Sequence, residues 1–401
     1  MKVKRCEQHN IKLNSELGRF VDEYCFKTKN LYNYANYILR QEFITSGNCI
    51  RYNELFQLVK DSEPYKDIGS NTGQATLRTL DKNWKSFFKS IKDWSQHPDK
   101  YYGRPKLPKY KAKNGRFVLA LDNNKVKLKD GYVYFAWKPF RKFNNMFKTN
   151  AEERIYQCRF IPRGSHYVME IVYETEIPDC KDVCERIIGI DMGMENFITM
   201  VNNIGEKPIA IKGGTIKSIN QYYNKKKAEM QSELKQVNKM DWSKRLQKLT
   251  DKRYEMIKYQ MHCISKYVID WCVEHEIDTI VVGHNNSWKQ DTTKMQNFTF
   301  APYDLFLRML DYKGANKGIK CIIREESYTS GTSFLDGELA TPEYYNRKRR
   351  VHRGLFVSNQ GVKINADVNA AYQIITKEIP NAFADGIEGV GLHPLIVKLA
   401  S

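Results

Sequence analysis

The sequence predicts an α/β domain over its second half, behind a helical and β-rich first half, on three observations. The apolar run Ile187-Ile188-Gly189-Ile190 closes on Asp191, as a buried strand does at its carboxyl end. Strand-like runs at 187–190, 197–201 and 208–211 precede long charged helices from about 216 to 276, and further strands at 278–282 and 319–324 flank a helix near 302–313. The segment Ile364-Asn365-Ala366-Asp367-Val368-Asn369-Ala370-Ala371 opens a last helix with an aspartate in its first turn. Three strands, then helix, strand, helix and strand, is the order expected of an RNase H-like α/β domain.

With 401 residues the chain has room for two or three domains. Lysine and arginine number 65 against 46 acidic residues, a net charge of +19 that favours a polyanionic partner. The 25 tyrosines and 19 phenylalanines supply faces on which unpaired bases can stack, although core packing claims most of them. Nine cysteines, scattered and without a CxxC pair, read as reduced thiols and give no spacing for structural zinc. Met1-Lys2-Val3-Lys4-Arg5 has no apolar stretch behind it, and no window approaches the ~20 apolar residues of a membrane span. A soluble, cytoplasmic protein is expected.

Taken in order, residues 14–47 place Phe20, Tyr24, Leu31, Ala35 and Ile38 near one face behind the caps Asn14 and Ser15. Residues 71–94 repeat the pattern with Leu77, Leu80, Trp84, Phe87, Phe88 and Ile91. The stretch Arg104 to Arg116 holds six basic residues in thirteen, with Pro105 and Pro108 excluding a helix interior, and reads as an extended basic strap. Its Arg104, Lys106, Lys109 and Lys111 are candidates for tracking a phosphate backbone. From 116 to 178, period-two runs at 117–121, 126–128, 132–135 and 167–173 alternate with turns such as Lys129-Asp130-Gly131, pointing to a small barrel or sandwich.

Chemistry concentrates on the two aspartates. Carboxylates at a strand end and in a first helical turn can hold Mg²⁺, and a basic chain would hold that ion against a nucleic-acid phosphate. Gly189 and Gly193 leave room for a close approach beside Asp191. A nuclease is the expectation that follows.

The stretch Gly189-Ile190-Asp191-Met192-Gly193-Met194-Glu195-Asn196-Phe197 resembles the first RuvC motif of the transposon-encoded TnpB proteins, relatives of compact type V CRISPR effectors and of Fanzors, and Asn365 to Ala371 resembles the third. Gln74-Ala75-Thr76-Leu77-Arg78, Trp84 to Phe88 and Pro105 to Tyr110 resemble that family's helical lobe and the entry to its wedge domain. The resemblance implies a wedge with its first strand at 1–12 and its β-barrel at 104–180, a helical recognition lobe at 13–103, and a RuvC-like nuclease domain at 181–401. It implies an RNA-guided endonuclease: guide RNA from the transposon end pairs with one DNA strand, the protein reads a short flanking motif, and one site cuts both strands of double-stranded DNA. A monomer in the bacterial cytoplasm, associated with the nucleoid, fits that family. Gln74 matches a family glutamine on the motif-reading helix, its amide suited to adenine, and Asn71 is a neighbouring candidate.

Two departures accompany the resemblance. Ile280-Val281-Val282-Gly283-His284-Asn285-Asn286 carries no carboxylate where many relatives end the middle strand with glutamate. Similar proteins place that acid on the next strand before a Thr-Ser pair, which here favours Glu326 over Glu325. The ligand set implied for Mg²⁺, with Mn²⁺ able to substitute, is Asp191, Glu326 and Asp367. Gly283, His284, Asn285, Asn286 and Trp288 are read as support for the site. The second departure is a lid at about 327–363 without the four cysteines of a zinc knuckle, so no zinc is expected. Arg347-Lys348-Arg349-Arg350-Val351-His352-Arg353 puts five basic residues in seven there, and Arg347, Arg349 and Arg350 are candidates for guiding single-stranded DNA. Lys225-Lys226-Lys227 and Lys252-Arg253 are read as lying along the guide-target duplex. The alternatives are a nuclease-dead RNA-guided repressor, which needs no acid, and a strand-transfer transposase, which needs no guide.

Overall fold

The computed structural model describes residues 1–181, 184–285, 301–384, 386 and 389–399, and the chain divides after Glu176 into two units. In the first, β1 (Lys2–Lys12) leads into α1 (Glu16–Ser46), α2 (Tyr52–Val59), α3 (Glu63–Lys66) and α4 (Ser70–Gln96). The chain returns through β2 (Leu119–Asp122), β3 (Val126–Lys129), β4 (Tyr132–Phe135), β5 (Ile155–Pro162) and β6 (His166–Glu176).

Strands β1-β6-β5-β2 form one antiparallel sheet, β1 matching β6 residue for residue from Lys2↔Glu176 to Lys12↔His166. The barrel read from the sequence is not closed by pairing among the described strands. The edges β1 and β2 stay apart, and β3 and β4 form a separate hairpin. Asp130 and Gly131 take φ of 51° and 75°, the two left-handed positions that fold short strands tightly on each other. Val126, Val133 and Phe135 of the hairpin nevertheless share the core of the larger sheet.

Helix α1 begins where Ser15 accepts the Gly18 N–H through its hydroxyl and ends on left-handed Gly47. Its buried stripe is Leu17, Val21 and Cys25 against the sheet, then Leu31, Tyr32, Ala35 and Leu39 against α2 and α4. Phe20, Tyr24 and Ile38, expected inside, flank that stripe half-buried. A 31-residue helix that serves two cores turns its apolar face from one to the other, so no single five-residue stripe describes it.

The basic strap has no regular structure and is fastened to α1. Lys29 donates to Lys113 O (2.8 Å), Asn33 to Lys111 O (2.9 Å), and Asn36 and Arg40 to Pro108 O (both 3.0 Å). Asn36 also accepts the Trp84 indole N–H (3.0 Å), tying α4 to the same place.

The second unit holds β7 (Ile187–Met192), β8 (Asn196–Asn202), β9 (Ile209–Lys212), α5 (Gly214–Asn238), α6 (Lys244–Glu274), β10 (Thr279–His284), α7 (Tyr303–Ala315), β11 (Lys320–Glu325), β12 (Leu355–Val357), β13 (Lys363–Asn365), α8 (Ala366–Glu378) and β14 (Leu395–Val397). Its sheet runs β11-β10-β7-β8-β9-β14. β7, β8 and β9 are an antiparallel meander, β10 and β11 extend it in parallel from β7, and β14 adds in parallel to β9. This is the RNase H-like order read from the sequence, with β14 as an edge strand the sequence reading lacked. No helix among the described residues is long and apolar enough to cross a membrane.

The sheet has two covered faces. Ile188 and Ile190 of β7 join the core made with α6 and α7, while Ile187 joins the core made with α8. Gly189 lies on the α8 face too, where a Cβ would stand 2.5 Å from Ala371 O, so only glycine admits the helix backbone here. Asp191, two residues on, points to that same face.

Candidate active site

Asp191, Glu326 and Asp367 line one cleft of ≈650 Å³, with Asn285, Arg350 and Arg353 also on its wall. Each arrives by a different route. Asp191 comes by strand alternation from β7. Asp367 stands in the first turn of α8, whose cap Asn365 accepts the N–H groups of Asp367 (3.0 Å) and Val368 (3.2 Å) through its side chain. Glu326 follows the end of β11, where its N–H donates to His284 O (3.3 Å) and its carbonyl accepts the Thr329 hydroxyl (2.8 Å).

Strand β10 lies between Asp191 and Glu326 and ends in Gly283-His284. Gly283 has no side chain to fill the gap, and Glu326 Oε2 reaches to 3.2 Å from the place a Cβ would occupy. That oxygen is buried and has no hydrogen-bond partner among the described residues. Burial, and then repulsion from Glu325, push the Glu326 carboxyl up to about 7, against hydrogen bonding from Asn285 and the charge of Lys377. Burial and the neighbouring charges of Asp367 and Glu326 raise Asp191 well above the usual carboxylate range, with Arg350 opposing.

Glu325 is turned elsewhere. Its Oε2 accepts from the N–H (2.9 Å) and the hydroxyl of Ser327, and Lys377 Nζ stands 3.6 Å away. Period-two alternation separates the two glutamates as the sequence requires.

An orphaned, buried carboxylate oxygen beside two further carboxylates is a hard, all-oxygen donor set that fits Mg²⁺. Among the described residues no three His, Cys, Asp or Glu side chains stand at the spacing of a finished ion cage. Like charges repel, and Asp367 is held instead by Arg350 (Nη2 to Oδ1, 3.1 Å) and by the Asn196 amide (Nδ2 to Oδ2, 2.8 Å).

The basic run of the lid divides by role. Arg347 is exposed. Arg350 faces Asp367 in the cleft. Arg349, expected on DNA, is internal: its guanidinium donates two 2.8 Å bonds to Glu338, lies 3.7 Å from Asp336, and leaves its side chain 12% exposed. This arginine belongs to a carboxylate cluster that fastens the lid, and it is withdrawn from the nucleic-acid candidates. The lid also packs on α8, with Phe334 stacked on Tyr372 (4.5 Å) and Asn369 bonding Phe334 N and Thr332 O.

The other candidates land unevenly. Arg104, Lys106 and Lys109 are exposed on the strap, while Lys111 is half-buried over the rings of Tyr32 and Phe117. Gln74 is half-exposed within α4, bonded at 3.3 Å to Ser70 and Arg78. Asn71 donates to Asp122 of β2 at 3.3 Å. His284 lies 3.7 Å from Asp304. Arg253 stacks on Tyr223 at 3.8 Å between α5 and α6, so it packs those helices rather than facing outward. Asn286 and Trp288 lie outside the described residues.

Two site residues escaped the sequence reading. Asn196, at the start of β8, orients Asp367 from 171 positions away, and nothing local announces that partnership. The Tyr303 hydroxyl donates to Gly193 O (3.0 Å) and its ring stacks on Phe197 (5.6 Å), which fixes the turn after Asp191. Burial and the charges of Asp191 and Glu326 raise the Tyr303 phenol.

Residues 170–289 match the family model OrfB_IS605, described as a probable transposase, and residues 303–374 match the Cas12f1-like TNB domain. The chain is 22% identical over 393 residues to the TnpB-like protein ORF457 of Acidianus two-tailed virus, covering 87% of this chain and 81% of that protein. It is 25% identical over 281 residues to the CRISPR-associated endodeoxyribonuclease Cas12f2 of a Micrarchaeota archaeon (strain CG1_02_47_40), covering 64% of this chain and about half (48%) of that relative. Among solved structures, a Cas12f1-sgRNA-target DNA complex matches at 15% identity and a TM-score of 0.38, covering 94% of this chain and 100% of that one. CasPhi-2 (Cas12j) bound to crRNA and phosphorothioate-DNA matches at 7% identity and a TM-score of 0.48, covering 97% and 92%.

Proposed function

Because the chain belongs to the OrfB_IS605 family of TnpB proteins, we propose that it is a transposon-encoded, Mg²⁺-dependent RNA-guided endonuclease that cuts double-stranded DNA beside a short flanking motif. The observation that carries this reading is the convergence of Asp191, Glu326 and Asp367 on one cleft with Arg350 and Arg353 on its wall. The three carboxylates would hold Mg²⁺, or Mn²⁺ in its place. The bound metal supplies a water of lowered pKa and charge stabilisation at the scissile phosphate.

The chain's own residues then have defined tasks. Asn196 and Asn365 hold Asp367 in its rotamer and position. Tyr303 fixes the turn beside Asp191. Arg353, exposed at the mouth of the cleft, offers a cation to the DNA strand entering it. Residues 1–12 and 104–180 serve as the wedge and 13–103 as the recognition lobe, with Gln74 and Asn71 reading the flanking motif. A guide RNA from the transposon end supplies the sequence specificity, and the protein acts as a monomer in the cytoplasm.

The test is cleavage of a target plasmid by the full chain expressed with its native flanking DNA, so that its RNA is made alongside it. Mg²⁺-dependent double-strand breaks that vanish when the RNA is digested are expected. Cleavage that persists without RNA would remove the guided reading, and no cleavage by an RNA-loaded complex would remove the nuclease.

A further inference from the structure

A second cavity, of ≈570 Å³, lies wholly within the first unit, between α1, α4 and the basic strap. Its floor is aromatic: Phe43 from α1 and Phe87 and Phe88 from α4 pack with ring centroids 5.2–6.4 Å apart and each stays half-buried. Its rim is cationic, with Arg40 on α1 and Arg104, Lys106 and Lys109 on the strap. The volume is in the range of a small-ligand site. The strap that forms one wall is already fixed by its bonds to Asn33, Asn36 and Arg40, so a guest does not have to order it.

Aromatic faces below and several cations around the mouth are complementary to a flat π-system carrying phosphates on its flanks. They oppose a second copy of this chain, which would bring its own four cations against these, and they oppose an uncharged apolar segment, which would leave those cations unanswered.

We propose that this cavity holds one unpaired base of the bound guide RNA, its ring against Phe87 and Phe88 and its neighbouring phosphates on Arg104 and Lys106. The assignment to RNA rests on the guided reading above. A guide must stay bound from one target to the next while cut DNA must leave, and the pocket belongs to a different unit from the cleft.

The test titrates the full chain into a 12-nucleotide single-stranded RNA carrying one central 2-aminopurine, and separately into the DNA of the same sequence. Fluorescence quenching of the RNA probe is expected. The Phe87→Ala/Phe88→Ala variant should weaken that binding about tenfold, the loss of one stacking contact. Arg104→Ala/Lys106→Ala, at exposed positions where folding is safe, should weaken it several-fold and lower the salt slope by about one to two. Far-UV circular dichroism checks both variants, and the rim variant carries the test if the aromatic one unfolds.

An unquenched RNA probe overturns the proposal. So does quenching that neither variant changes, or quenching confined to the DNA probe. A wild-type dimer in light scattering that Phe87→Ala/Phe88→Ala dissolves would give the face to a second copy and equally overturn it. The titration needs neither Mg²⁺ nor a target. A chain that quenches but does not cut therefore fails only as a nuclease, and one that cuts but does not quench fails only here.

Discussion

The Oε2 of Glu326 lies 3.2 Å from the position a Cβ would take on Gly283, across the end of the strand that separates Glu326 from Asp191. A glutamate one strand removed from the middle of the sheet gains its route to the aspartates from the missing side chain between them.

Gly283→Ala should therefore damage both stability and cleavage. The added methyl meets Ile374 Cδ1 at 2.4 Å as well as the carboxylate, an overpacking that costs about 1–3 kcal/mol. Trimming the clash with Ile374→Val should restore the melting temperature and leave cleavage at least about tenfold down, since Glu326 is still displaced. Wild-type cleavage in the single variant would show that Glu326 does not need this path.

The two neighbouring glutamates should separate cleanly. Glu326→Gln should lower the cleavage rate by more than about a hundredfold, since the proposed metal site would lose a ligand. Glu325→Gln, at a carboxylate already answered by Ser327 and Lys377, should stay within a few-fold of wild type. The reverse order in single-turnover assays would exchange their roles.

Metal-free stability should fall as pH rises from about 4.5 to about 7. Glu326 has a folded-state value of about 7 against 4.5 unfolded, so over that window the folded chain holds a proton that the unfolded chain has released. This contribution is fully present below the lower value and lost through the upper one, and the raised Asp191 carboxyl acts in the same direction. Urea unfolding at pH 5, 6 and 7.5 in chelator reads the slope, and Glu326→Gln should flatten it. Metal binding displaces the same proton, so apparent Mg²⁺ affinity should climb over this range. A flat wild-type profile would contradict the buried placement of Glu326.

Two arginines of the lid, two positions apart, should behave differently. Arg349→Ala leaves Glu338 and Asp336 with an unanswered, nearly buried charge, a loss of about 3–5 kcal/mol for the unit. Arg349→Lys should rescue little, since the two-pronged contact with Glu338 is lost. Arg347→Ala, at an exposed position, should leave stability within about 0.5 kcal/mol and reduce the salt slope of DNA binding by about one. Equal melting temperatures for the Arg349→Ala and Arg347→Ala variants would dissolve the distinction.

What the sequence disclosed follows the range of the interactions involved. The turn at Asp130-Gly131, the cap at Ser15 and the strand that carries Asp191 near its end are local patterns, and each is read from a few neighbouring residues. Strand β5 was not legible, because a register shift between Ile155 and Gln157 breaks its alternation and its support comes from β2 and β6 on either side. Strand β14 was missed because three residues become a strand only when β9 offers them an edge. At the site, the sequence offered the two aspartates and Glu326 as candidates, and the structure brings all three to one cleft, but the inward turn of Arg349 and the hold of Asn196 on Asp367 depend on residues 11 and 171 positions away. Charge counting treats every arginine of a basic run alike, and packing distinguishes them.

The strand order also imposes a sequence of events during synthesis. Every partner of β1 and its sheet has left the ribosome once Glu176 has emerged, so the first unit can fold while the rest is still being translated. The cleft waits for α8, which brings Asp367 only 176 positions after Asp191. A nascent chain thus has the basic, aromatic surfaces of its first unit before it has all three acids, so under the proposed function it can take up RNA before it can cut.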